Sequence, residues 1–447
     1  MRQKIDNKLS FYRFYSISTT MKIILFCFVI VLFLSNTAFS ITLDEAIKRA
    51  IEVSYILKEQ KEVVKKSEFS YISTIDPYLP RVDLQSSYMR SLSGSTYLGN
   101  TSTSSSTQMQ GAKDAYTFAG TISYRLFDGG ERYAKRKEGF SLVEREKERS
   151  KGIRVDVLFS IKNAFYTALG KKFIVEDRRE AFTITEKIYG LTKARYEEGV
   201  SKKSDVLQAE VNMTTAKIEL YAATKDYEKA LEEVKSLLLF EPGEKQDVEG
   251  TLGEPQFKSN SESLIERAIK IKPDVSSQAK EVERLNMVYR EKKSSWFPKI
   301  DAELQQTRQD KHFFPEGRSN AFMLNFTFPL FDGTGRYYNV MGALSDVNAA
   351  QQRLEEIKRN VKLDITNAFK DYELSMENVK MYRELIREAT SNFNQAFGEY
   401  KVGKGDILTL LQSEKDLAKA KENLTSSIYK ANTSLSNLEK VAYINVE

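Results

Sequence analysis

Histidine, cysteine and tryptophan each occur once, as His312, Cys27 and Trp296, and proline only eight times in 447 residues. One histidine is too little for a zinc site, and His312 reads as a surface-loop residue. Neither HExxH nor a GxxxxGK[ST] phosphate cradle occurs. No carboxylate pair is marked by its context, so triads, metal sites and nucleotide sites lack their parts, and no catalytic residue, metal or cofactor is expected. The scarcity of proline leaves long stretches without a helix breaker, which predicts an elongated chain rather than two or three compact domains.

The amino terminus is basic and poor in acid, and leads into the twelve-residue apolar run IILFCFVIVLFL, Ile23 to Leu34. SNTAFS then places Ala38 and Ser40 at minus three and minus one of a cut before Ile41, the pattern of a secretory signal peptide over residues 1–40, with Met21 as an alternative start. A single membrane anchor is the competing reading, and it wants roughly 20 apolar residues. Cys27 would leave with the leader, so neither a disulfide framework nor a lipid-anchored N-terminal cysteine is open to the mature chain. Export without disulfides suits a bacterial envelope protein. Removing five Lys or Arg and one Asp leaves 63 basic against 61 acidic residues, which is no nucleic-acid footprint. On the helices the charges interleave at three- and four-residue spacing, as in REKERSKGIR (Arg145 to Arg154), a solvated face.

What the chain does have is an internal repeat. SYRLFDGGERY (Ser123 to Tyr133) and TFPLFDGTGRY (Thr327 to Tyr337) have one shape, 204 residues apart. At that offset Phe118 falls on Phe322, Asp128 on Asp332, Ile161 on Ile365, Phe165 on Phe369, Tyr196 on Tyr400, Gly199 on Gly403 and Gln208 on Gln412. Upstream the offset is 218, pairing Ala50 with Ala268 and Pro80 with Pro298. The 14-residue difference falls in the Ser- and Thr-rich segment Ser91 to Asp114, whose counterpart is the short Gln309 to Asn320; a hairpin loop absorbs such an insertion. This is a tandem duplication, with a first repeat over 41–240, a linker over 241–262, a second repeat over 263–441 and a tail over 442–447.

Each repeat reads helix, strand, strand, long helix, helix. Strands are expected at about 80–90, 115–127, 298–308 and 320–331, with Val82, Leu84, Ile122, Leu304 and Phe322 alternating with polar neighbours. Alternation alone also fits a half-buried sheet on a helix. Strands of about ten residues can cross a bilayer when tilted, but four cannot close a barrel, so if they sit in a membrane several chains must contribute to one barrel. Long helices are expected at about 131–196 and 336–399, each on the order of 100 Å at 1.5 Å per residue, with return helices at about 201–240 and 405–441. Val206, Met213, Leu220, Tyr227 and Val234, and likewise Leu410, Leu417, Leu424, Ala431 and Leu438, make a heptad seam. Small residues such as Ser413, Ala420 and Ser427 flank it. The pair alone also fits an ordinary helical hairpin. Pro80 and Pro298 mark helix-to-strand handovers, and Asp128, Gly129, Asp332 and Gly333 the strand-to-helix ones, where glycine permits a sharp junction.

On TLDEAI, YLPRVDL, WFPKIDA, the two LFDG junctions and the turns YEEGVSKKSDVLQAE and YKVGKGDILTLLQSE, the chain resembles the TolC-type outer-membrane efflux proteins over residues 41–441. The resemblance implies a mostly α protein with a membrane β-barrel portion: a homotrimer sharing a twelve-stranded barrel continuous with a long α-helical coiled-coil periplasmic tunnel. It implies localisation in the outer membrane, and no enzymatic role. The function it implies is that of a passive exit duct of a tripartite efflux or type I secretion system for small molecules or polypeptides, partnered by a periplasmic adaptor and an inner-membrane transporter. The rival reading is a soluble or peripheral coiled-coil scaffold or adaptor.

In the family an Asp of the first tip turn bonds a Tyr and an Arg near the second and closes the periplasmic end. By motif position Asp205 matches that Asp and Tyr400 that Tyr. The Arg position holds Gly405, and the inner positions that carry Asp rings hold Thr409 and Gln412. Asp406 could take over part of that charge, or, like Asp205, serve as a helix N-cap.

Overall fold

The computed structural model describes residues 39–90, 114–241, 243, 244, 246–310 and 312–445. The expected leader, apart from its last two residues, and nearly all of the Ser- and Thr-rich loop lie outside these. The elements in chain order are β1 (Phe39–Ile41), α1 (Leu43–Val53), α2 (Tyr55–Ser73), β2 (Arg81–Arg90), β3 (Asp114–Phe127), α3 (Glu131–Glu197) and α4 (Lys203–Leu237). The linker carries β4 (Gln246–Val248), and the second repeat follows with α5 (Ser261–Ile271), α6 (Pro273–Ser294), β5 (Lys299–Asp310), β6 (Arg318–Thr327), α7 (Gly335–Lys401) and α8 (Ile407–Ala442). The helix, strand, strand, long helix, helix order thus occurs twice. The opening helix of each repeat is broken once, after Val53 and after Ile271, positions related by the 218-residue offset. In the second repeat the cause is visible: Pro273 starts α6, and its ring forces Lys272 into an extended conformation, φ −65° and ψ 130°.

The described chain divides into two compact units. One comprises the residues up to Ser54, Val157–Phe257 and Lys370–Leu438. Its core gathers Ile161, Ala164, Phe165, Ala168 and Leu169 of α3 with Ala46 and Ala50 of α1 and Val234 and Leu238 around the end of α4. A short parallel sheet, β1 with β4, which no sequence pattern announced, covers that core through Ile41 and Val248. Of the heptad seam, Val234, Leu410, Leu417, Ala431 and Leu438 are buried. So are the small residues on its flank, Ala209, Ala216, Ser413, Ala420 and Ser427, which let helices approach closely. Gly170 has the same role: a Cβ there would lie 2.6 Å from the ring of Tyr429.

The other unit comprises Tyr55–Asp156, Lys258–Phe369 and the residues from Glu439. It holds a four-stranded antiparallel sheet in the order β2-β3-β5-β6. Its register runs Val82 to Ile122, Ile122 to Leu304 and Leu304 to Phe322, so these four apolar side chains form one row across one face. Arg125 and Asp301 pair on the other face, with Nε–Oδ1 2.8 Å. The apolar row is not covered: Val82 is 71%, Leu304 51% and Phe322 72% exposed. Among the described residues the outer edges of β2 and β6 have no partner strand. No described helix is long and apolar enough to cross a membrane.

Candidate functional site

Two regions carry the residues singled out by the sequence: the tip turns in the first unit and the strand–helix junctions in the second. At the first tip, α3 ends and Gly199 turns the chain with φ +79°, a left-handed conformation open to glycine. Asp205 is not the N-cap of α4, which is Lys202, but lies at the third helical position, where its carboxylate reaches back and accepts from Lys202 N at 3.2 Å. At the second tip Gly403 turns the chain with φ +80°. Asp406 accepts from Thr409 N at 3.0 Å and from Thr409 Oγ1 at 2.6 Å, capping α8. The Thr409 hydrogen bonds hold the exposed Asp406 carboxyl below its ordinary range. Gln412 donates to Asp416 at 2.9 Å.

Tyr400 is 3% exposed and packs among Ile188, Ala396, Ile407 and Leu410. Its hydroxyl donates to Thr192 Oγ1 at 3.0 Å, and Thr192 in turn donates to Ile188 O. Within the chain, therefore, Asp205 and Tyr400 do not meet; each is bonded elsewhere. Arg195, which the sequence did not single out, is a further link between the two tips. Its Nη1 donates to Tyr400 O at 2.7 Å, and its guanidinium lies 4.9 Å from the centroid of the Tyr400 ring. Gly405 has no room for a longer side chain, because a Cβ there would lie 2.9 Å from Tyr400 N. The available sequence signal was KARYEEG, with Arg195 beside Tyr196.

At the first junction the Asp128 carboxylate accepts from Gly130 N and Arg132 N, both at 3.0 Å, and from Arg132 Nε at 2.8 Å. Arg132 Nη1 donates to Pro77 O, and its guanidinium lies 4.9 Å from the centroid of the Tyr78 ring, two residues before Pro80. The second junction repeats this. Arg336 pairs with Asp332 at 2.9 Å, donates to Pro329 O and lies 4.8 Å from the centroid of the Trp296 ring, two residues before Pro298. Each junction is therefore a clasp, in which an arginine at the second position of the helix binds the aspartate before it and covers an aromatic ring beside the handover proline. A β-bulge in β3 between Arg125 and Phe127 bends the strand just before the first clasp. The arginines and aromatics were missed in the sequence, although DGGER and DGTGR, and Tyr78 and Trp296 at the 218-residue offset, carried the signal.

Deeper in the first unit, Glu414 of α8 is buried and accepts from Asn212 at 3.2 Å. Burial pushes its carboxyl up to about 7, the charge of Glu219 adds to the rise, and Arg178 opposes it.

A model of the outer membrane efflux protein family matches residues 48–238 and 264–442. Protein CyaE of Bordetella pertussis is 21% identical over 312 residues, covering 68% of this chain and 65% of CyaE. Outer membrane protein TolC of Salmonella enteritidis is 26% identical over 110 residues, 25% of this chain and 22% of TolC. The chain thus spans less than two thirds of the length of either relative. The CmeC outer membrane channel of Campylobacter jejuni superposes with a TM-score of 0.76 at 14% identity, over 90% of this chain and 85% of that one.

Proposed function

The chain belongs to the outer membrane efflux protein family, and from that premise we propose that it is a passive exit duct. Three copies would close one twelve-stranded barrel in the outer membrane, with the helical hairpins forming a periplasmic tunnel. The observation that carries this reading is the sheet β2-β3-β5-β6, with an uncovered apolar row on one face and, among the described residues, a free edge on each side. Lipid tolerates neither unpaired backbone at an edge nor a barrel of four strands, so the sheet needs further strands, and copies of itself supply them. The polar opposite face, with Arg125, Asp301 and Thr121, would line the pore.

In this reading the tip turns, with Asp205, Tyr400, Gly405, Asp406, Thr409 and Gln412, form the periplasmic gate, and the Arg195–Tyr400 contact fixes each chain's pair of tips. The junctions at Pro80, Asp128, Gly129, Pro298, Asp332 and Gly333 hold strand and helix in line at the membrane boundary. Energy comes from elsewhere: an inner-membrane transporter coupled through a periplasmic adaptor, delivering small molecules or polypeptides. The test is extraction in mild detergent followed by light scattering and planar-bilayer recording. A trimer with discrete conductance steps is expected, and a monodisperse monomer that stays soluble without detergent would overturn the proposal.

A further inference from the structure

The repeat relates the hairpin of α3 and α4 to that of α7 and α8 at a constant offset of 204 residues. Within the chain, α3 and α8 are joined by side-chain contacts, among them Lys440 with Asp156 and a group of three around Asp177 to Glu180. Lys421 Nζ donates to Glu180 at 2.5 Å, Arg178 pairs with Glu422, and Thr425 Oγ1 donates to Asp177 at 2.6 Å. This seam uses the α3 side of the first hairpin and the α8 side of the second, and leaves an α4 side and an α7 side over.

Adding 204 to the α3 residues and subtracting it from the α8 residues carries each contact to that remaining pair. Glu180 becomes Glu384 and Lys421 becomes Lys217, so the ion pair reappears with both residue types unchanged. Arg178 with Glu422 becomes Tyr382 with Ile218, and Asp177 with Thr425 becomes Met381 with Tyr221. The residues so designated are uncovered in a single chain: Ile218 is 65%, Tyr221 67% and Met381 53% exposed. Lys217 and Glu384 are also exposed, and neither has an ion-pair partner among the described residues.

We infer that α4 of one copy packs against α7 of the next through a Lys217–Glu384 ion pair and apolar contacts of Ile218 with Tyr382 and Tyr221 with Met381. The occupant is a second copy of this chain, because the surface complementary to α4 is the chain's own α7, in charge and in apolar character. A contact between two different faces repeats from copy to copy and closes into a ring when the rotation allows. The same transfer carries the Glu414–Asn212 contact of α8 with α4 to Asp416 of α8 against Glu210 of α4 in the second copy, a like-charge encounter beside this seam. Two seams would therefore alternate around the ring: a polar one within each chain and a largely apolar one between chains.

This inference rests on the multichain duct reading, and the experiment separates the two. Chains carrying Lys217→Cys are co-expressed with chains carrying Glu384→Cys, extracted in detergent and treated with a short bismaleimide, while light scattering reports the oligomeric state. Two-chain species are expected in the mixture and none from either variant alone. Lys217→Glu is expected to lower the oligomer fraction several-fold, and adding Glu384→Lys in the same chain to restore it. A trimer that gives no cross-link in the mixture, or no rescue by charge exchange, overturns this seam and leaves the duct reading standing. A detergent-solubilised monomer removes both.

Discussion

The two junction clasps share sequence pattern and hydrogen bonds but differ in what surrounds them. At the first, the Asp128 side chain is nearly inaccessible, whereas at the second half of the Asp332 side chain faces solvent. A Cβ on Gly129 would lie 2.5 Å from Phe297 Cβ and 2.8 Å from Ser294 O, while one on Gly333 would meet nothing within 4 Å. Both glycines have left-handed dihedrals, φ +65° and +83°. Backbone demand is thus equal in the two repeats, and packing demand is not. A duplicated motif keeps its local geometry because that is written in neighbouring residues, while burial is set by what packs against it.

The largest expected effect follows from the buried ion pair. Asp128→Ala leaves Arg132 without its partner in a closed site and is expected to destabilise by about 3 to 5 kcal/mol, whereas Asp332→Ala removes a half-exposed carboxylate from an Arg336 that is itself buried but keeps its bond to Pro329 O, and is expected to cost about 1 to 3 kcal/mol. Thermal unfolding followed by circular dichroism measures both, and equal losses would break the comparison. Next, Gly129→Ala combines left-handed strain of roughly 1 to 2 kcal/mol with overpacking of a similar size, so a loss of about 3 kcal/mol is expected against about 1 kcal/mol for Gly333→Ala. The same unfolding measurement decides it; a Gly333→Ala loss as large as that of Gly129→Ala would mean that strain, not space, governs both sites.

The smallest effect concerns Glu414 and its repeat counterpart Glu210, the one buried and the other exposed. With a folded pKa near 7, above the ordinary carboxylate value, the protonated Glu414 favours the fold. That stability is fully present at pH below about 4 and is lost as pH rises to 7. Glu414→Gln is therefore expected to raise stability by about 2 kcal/mol at pH 8 and to change little at pH 4, a discounted figure for a charge that keeps some access to water. Glu210→Gln, at a position exposed within the chain, is expected to shift stability at pH 8 by less than Glu414→Gln does. Melting temperatures at the two pH values test it, and a pH-independent shift would show that Glu414 titrates normally.

Much of the architecture was legible because each signal was local. Period-two alternation in Val82, Leu84, Ile122, Leu304 and Phe322 gave the sheet its apolar face. The seven-residue spacing from Leu410 to Leu438 and the small residues beside it gave the helix seam. The site was legible only in outline. Position in a turn could nominate Asp205 and Tyr400, but not that Tyr400 spends its hydroxyl on Thr192, which lies 208 residues away. Arg195 was invisible for the same reason: a charged residue near a helix end looks like a solvated one until its partner from another hairpin is known.

The sequence by itself determined the duplication, the element order, and the glycines at the junctions and tips, since these depend on residue spacing and on dihedrals that only a few residue types adopt. Only the tertiary structure decided which of two equivalent residues is buried, as with Asp128 over Asp332, Glu414 over Glu210 and Tyr400 over Tyr196. It also decided that β1 and β4 form a parallel pair and that Arg195 of the first hairpin bonds Tyr400 of the second. The physical reason is common to all of these: burial and long-range pairing depend on which surfaces meet, and two copies of one motif meet different neighbours.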